Sequence, residues 1–220
     1  MAATASPFGL KPTNMIGGAP YNGGAIRQYH VKANNSAAIF NGDLVVLSSA
    51  GLPSAVSSTP SAIKDAHEGA AGTPGIVGVM VAARYVDASG LQQFRQFLPA
   101  NATTAGFTEI KILVNDEPRQ LYQIQGNAAL GTFNSGTDGS GFAGAVGKNC
   151  SLDFSTSGST TTGNSGVSLK IDTNGGTLAA TATLGVRVID VVEGTETDNF
   201  PEFIVKLNVG VHAYDNSLGV

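Results

Sequence analysis

Apolar and polar positions along this chain alternate in short runs, and the runs are separated by glycine- and serine-rich stretches. Ile26 to Lys32 places Ile26, Gln28, His30 and Lys32 on one face and Arg27, Tyr29 and Val31 on the other. That period of two is the period of a strand. Ile39-Phe40 is followed by Asn41-Gly42-Asp43 and then Leu44 to Leu47. Asn-Gly favours a tight turn, so this stretch predicts a turn leading into a strand. Gly75 to Tyr85 is an almost unbroken apolar run behind Pro74, as expected of a buried strand. Ala105 to Val114 and Gln120 to Gln125 alternate again. Between them Asn115-Asp116-Glu117-Pro118 reads as a turn, because proline cannot continue a ladder. Val167 to Ile171, Leu184 to Val192 and Phe203 to Val211 predict three further strands.

The intervening stretches read as loops. Residues 48–62 are rich in Ser, Ala and Pro; Asn134 to Gly147 and Gly158 to Asn164 are dense in glycine and polar residues. Ile63 to Ala71 is the best short helical candidate, limited by Gly69 and Gly72. Neither a long amphipathic helix nor a solenoid repeat is evident. Many short strands joined by polar turns predict an all-β fold, an antiparallel β-barrel or β-sandwich with long Gly/Ser-rich loops.

Residues 1–24 break the pattern. Pro7, Pro12 and Pro20, with five glycines, exclude a regular helix. Phe8, Leu10, Met15, Ile16 and Tyr21 are nonetheless apolar enough to bury. The expectation is an extended N-terminal arm (1–24) on a single β-rich domain (25–220). Its apolar residues serve as anchors to a neighbouring subunit, or else wrap the chain's own sheet.

Composition narrows the function. Of 220 residues only 13% are charged, and 12 Lys and Arg against 16 Asp and Glu leave a net charge of −4. A surface that neutralises phosphates must be basic, so nucleic acid is not an expected partner. A polybasic membrane patch is missing too, and no run approaches the ~20 apolar residues of a membrane span. Glycine, at 29 residues, is about twice its average usage of roughly 7%. The N-terminus lacks a basic start followed by an apolar stretch, so a chain made in the cytoplasm without a signal peptide is expected.

Candidate chemistry is sparse. The single cysteine, Cys150, supports neither an internal disulfide nor a four-ligand zinc site. His30, His67 and His212 show no metal-binding spacing. The carboxylates at Asp116-Glu117 and from Glu193 to Asp198 fall in expected turns, where acids are ordinary. Gly136 to Gly147 lacks the lysine and the following helix of a phosphate-binding loop. The expectation is a non-enzymatic protein with no catalytic residue, metal or cofactor.

Six segments, in order, carry a resemblance. They are SPFGLKP (Ser6 to Pro12), GAPYNG (Gly18 to Gly23), Tyr29 with GDLVVL (Gly42 to Leu47), VNDEPRQLYQIQ (Val114 to Gln125), VGKN (Val146 to Asn149) and STTTGNSGVSL (Ser159 to Leu169). Together they resemble a family of tailed-bacteriophage virion proteins, the capsid decoration or cement proteins. The resemblance implies a structural protein on the virion's capsid surface. It would bind the major capsid protein and stabilise the assembled particle, as a homo-oligomer, most simply a trimer. A tail or head-fibre component for host attachment is the alternative. The resemblance supplies no catalytic residues.

Overall fold

The computed structural model describes residues 4–18, 20, 26–31, 37–47, 53–55, 76–129, 144–171, 178–180, 184–208, 212 and 214–215. Among them there are fifteen strands and no helix. In chain order they are β1 (Lys11–Met15), β2 (Ile26–His30), β3 (Ile39–Phe40), β4 (Leu44–Leu47), β5 (Pro53–Ala55), β6 (Ile76–Val86), β7 (Gln92–Arg95) and β8 (Phe97–Leu98). There follow β9 (Thr108–Asn115), β10 (Gln120–Gln125), β11 (Asn149–Cys150), β12 (Leu152–Asp153), β13 (Ser168–Leu169), β14 (Val186–Val191) and β15 (Glu202–Leu207).

Two antiparallel sheets dominate. One runs β1-β10-β15-β14-β11; the other runs β2-β9-β6-β4-β5, with β7 paired to the far half of β6. The pairs β3-β8 and β12-β13 form two small ribbons. Neither large sheet closes on itself among the described residues, so the all-β arrangement is sandwich-like rather than a closed barrel.

The strand period puts the apolar set inside. Along β15, Phe203, Val205 and Leu207 are buried, while Glu202, Ile204 and Lys206 are only partly so. With Tyr122 and Ile124 of β10 and Val186 and Val188 of β14 they form the main core. The long strand β6 serves two cores. Its register against β4 shifts between Val45 and Val46. Ile76 and Val79 consequently join the main core, whereas Val77 and Met80 join a second one with Ile39, Leu98, Ile112 and Val114.

Of the two placements expected for the apolar residues of the N-terminal arm, Lys11–Met15 takes the one on the chain's own sheet. Lys11–Met15 is an edge strand of the main sheet, pairing with β10 from Lys11↔Gln123 to Met15↔Gln120. Pro12 is compatible with this position because an edge strand needs no ladder hydrogen bond on its outer side. Leu10 is fully buried in the main core. The segment is extended, as its prolines require, but it belongs to the domain expected to begin at residue 25.

A junction holds it there. The Gly9 N–H donates to the Val167 carbonyl at 3.2 Å, and the Leu10 N–H to the Gly42 carbonyl at 3.0 Å. The Ser165 N–H donates to the Asn41 carbonyl at 2.8 Å. Gly9 and Gly42 both have positive φ, 74° and 94°. A Cβ on Gly9 would lie 2.5 Å from Ser165 Cβ and 2.8 Å from the Gly42 carbonyl oxygen. Three distant segments meet here so closely that only glycine fits at the contact.

The remaining boundaries differ by small amounts. Pro53–Ala55, expected in a loop, pairs with β4. The strand expected from Ala105 begins at Thr108, after a turn through residues 100–106. Val167 to Ile171 contributes only Ser168–Leu169 as strand. The helical candidate Ile63 to Ala71, most of the 48–62 loop and residues 130–143 lie outside the described residues.

Candidate functional site

The five expected anchors do not form one surface. Leu10 is in the core. Phe8 is half-buried, with Lys11 Nζ 4.0 Å from its ring centroid. Met15 is half-buried at the end of β1. Ile16 is exposed, and its N–H donates to the Arg119 carbonyl at 2.9 Å. Tyr21 lies outside the described residues. Of the four that are described, Ile16 is the one presented to solvent.

The main electrostatic feature lies at that same end, in the β9–β10 connection. Asp116, expected on a solvated turn, is only 3% exposed. Its Oδ2 accepts from Tyr29 Oη at 2.5 Å and pairs with Arg27 Nε at 2.8 Å. Arg27 and Tyr29 lie on the same face of β2, two residues apart, so both reach one carboxylate. The Tyr29 O–H donates its hydrogen bond to Asp116. The Tyr214 hydroxyl, 2.9 Å away, therefore donates to Tyr29. The Arg27 guanidinium also lies 5.4 Å from the Tyr214 ring centroid, in cation–π range. Burial pushes the Tyr29 phenol far above its ordinary value, and the Asp116 hydrogen bond adds to it. A phenol so disposed is a donor, not a base.

Buried amides support this cluster from behind. Asn115 Nδ2 donates to Gln120 Oε1 at 3.2 Å, and Gln120 Nε2 donates to the Leu121 carbonyl at 2.8 Å and the Asn14 carbonyl at 3.2 Å. His212, fully buried beside Ile76, accepts the Tyr214 N–H on Nδ1 at 3.2 Å. Its Nε2 has no hydrogen-bond partner among the described residues. The arrangement thus joins parts distant in sequence: β2, the β9–β10 turn, and His212 with Tyr214.

The other candidate groups stay apart. His30 is exposed on β2, and His67 lies outside the described residues. Glu193 to Asp198 is a turn in which Glu196 Oε2 accepts the Gly194 N–H at 2.8 Å. Among the described residues no group of three or more His, Cys, Asp or Glu could hold a metal ion. The Cys150 thiol is buried and donates to the Lys170 carbonyl at 3.0 Å.

At the opposite end of β9, the β6–β7 hairpin carries the two most exposed large apolar side chains, Leu91 at 62% and Phe94 at 68%. The eight residues of β9 separate the two ends by ~23 Å at strand rise. Sequence periodicity did not single out Leu91 or Phe94. The available signal was a pair of large apolar residues beside a Ser89-Gly90 turn in an otherwise polar stretch. No protein-family model, curated protein or solved structure matches the chain.

Proposed function

We propose that this chain is a structural protein of a tailed-phage particle that binds the outer surface of the assembled capsid and stabilises it. In this reading it acts without catalysis, metal or cofactor. Its partners are the major capsid protein and further copies of itself, most simply as a trimer, since closed symmetry suits a local three-fold position.

The observation that carries the proposal is where the resembling segments lie. Ser6 to Pro12, Gly42 to Leu47 and Ser159 to Leu169 meet at the Gly9–Gly42–Ser165 junction. Val114 to Gln125 supplies the partner strand of β1 and the Asp116 clamp. Four of the six resembling segments therefore include positions that close the molecule. A particle protein under internal pressure needs this kind of long-range closure. Ile16 at one end and Leu91 with Phe94 at the other supply apolar contact points on a surface of few charges. Partners gripped this way depend on shape and apolar burial more than on electrostatic steering.

The test is addition of purified protein to heads that lack it. Saturable co-sedimentation, with heads that resist heat and osmotic shock better once decorated, is the expected result. Heads that neither bind the protein nor gain resistance would refute the proposal.

A further inference from the structure

The clamp at Asp116 includes one group whose protonation is incompatible with its own hydrogen bond. His212 Nδ1 accepts the Tyr214 N–H at 3.2 Å. A backbone amide only donates, so Nδ1 carries no proton and the ring proton sits on Nε2. That Nε2 is buried and has no partner among the described residues. Among them the ring makes one hydrogen bond. His212 pairs with Ile76 in a single bridge, its N–H donates to the Asn208 carbonyl at 3.3 Å, and its carbonyl accepts the Asp215 N–H at 3.3 Å.

We propose that His212 is an acid-operated latch: a proton taken up at Nδ1 displaces the Tyr214 amide and releases Tyr214 from the Asp116–Tyr29–Arg27 cluster. Once Nδ1 is protonated, two N–H donors face each other where one bond stood. Both ring nitrogens are then donors, and the buried Nε2 still has no acceptor. Turning the imidazolium outward satisfies both. With it goes Tyr214, whose hydroxyl bond to Tyr29 and stacking against Arg27 tie the segment to β2.

The surrounding charges set the operating range. Asp116 and Glu117 of the β9–β10 turn and Asp215 of the same segment favour the imidazolium; Lys206 of β15 opposes it. Tyr29 and Arg27 of β2 lie beyond Asp116 and are bonded to it. Burial outweighs the carboxylates and holds His212 below the ordinary imidazole value. The latch is closed at neutral pH and opens in mild acid. This inference does not depend on the virion reading.

The experiment follows the full chain by NMR from about pH 7.5 to about pH 4.5, the range in which histidine switches. It records the His212 ring nitrogens and hydrogen exchange at the Tyr214 amide. The expected result is an unprotonated Nδ1 at neutral pH, titration below about 6.5, and Tyr214 amide protection, taken relative to the intrinsic exchange rate at each pH, falling about tenfold or more with the same midpoint. His212→Gln keeps an acceptor for the Tyr214 amide without a titrating ring, so that fall should vanish. The proposal is overturned if Tyr214 protection is unchanged while His212 titrates, or if His212 stays neutral until the whole chain unfolds. A folded His212→Gln chain with the same acid response overturns it too. Should that variant fail to fold, the wild-type coincidence of midpoints decides alone.

Discussion

The Ser165 hydroxyl donates to Asp43 Oδ1 at 2.5 Å across 122 residues of chain. The other oxygen of the same carboxylate accepts the Phe40 N–H at 2.8 Å. Burial pushes the Asp43 carboxyl above its usual range, while these two hydrogen bonds pull it back. Around this pair the N-terminal segment, the turn before β4 and the 159–169 segment are locked together, and Gly9 is the tightest contact.

Gly9→Ala tests that lock. The new methyl would meet Ser165 Cβ and the Gly42 carbonyl on a backbone with φ 74°. A left-handed alanine in a crowded site costs about 2–4 kcal/mol. A domain of this size loses ~2–4 °C per kcal/mol. A melting point lowered by roughly 5–15 °C is expected by calorimetry. An unchanged melt would mean that the N-terminal segment does not sit in the junction.

Deleting residues 2–16 should be more severe. It removes β1 and Leu10, whose burial alone is worth ~1.5–3 kcal/mol, and it uncovers the edge of β10. The truncated chain is expected to melt far lower or to aggregate. A deletion that melts within a few degrees of the intact chain would restore the detached arm expected from composition.

How much was legible in the sequence follows from the range of each interaction. β2, β4, β6, β9, β10, β14 and β15 were readable because period two is local to each strand. The membership of Lys11–Met15 was not, since its partner strand lies more than a hundred residues away and prolines mask its alternation. The burial of Asp116 was likewise hidden. An acid before Glu-Pro marks a turn, and only the return of β2, with Arg27 and Tyr29 on one face, encloses it. The burial of Leu10 was hidden for the converse reason: it reads as a surface anchor until the sheet beside it is known.

The Asp116 clamp predicts a defined alkaline response. Tyr29 has a higher pKa in the folded chain than in the unfolded one. The unfolded state therefore releases that proton first, and stability present below about pH 10 is lost as pH rises beyond it. Ultraviolet titration should show Tyr29 ionising only as the chain unfolds, and Tyr29→Phe should flatten that part of the stability profile. Asp116→Asn, which weakens two charge-assisted bonds, is expected to cost ~1–3 kcal/mol at neutral pH in a denaturant melt.

Leu91 and Phe94 offer the opposite case, apolar side chains that the fold itself does not use. Replacing both by serine should leave the melting point within about 2 °C, because exposed positions rarely contribute more than ~0.5 kcal/mol each. The same variant should decorate heads less well if the β6–β7 hairpin touches the capsid. Binding equal to that of the unaltered chain would remove the hairpin from the contact surface.

Electron microscopy of intact particles labelled with antibody to this chain bears most directly on its place in a virion. Label distributed over the head surface at regular positions is the expected result. Label confined to the tail or fibres, or particles that carry none, would contradict a capsid-surface role.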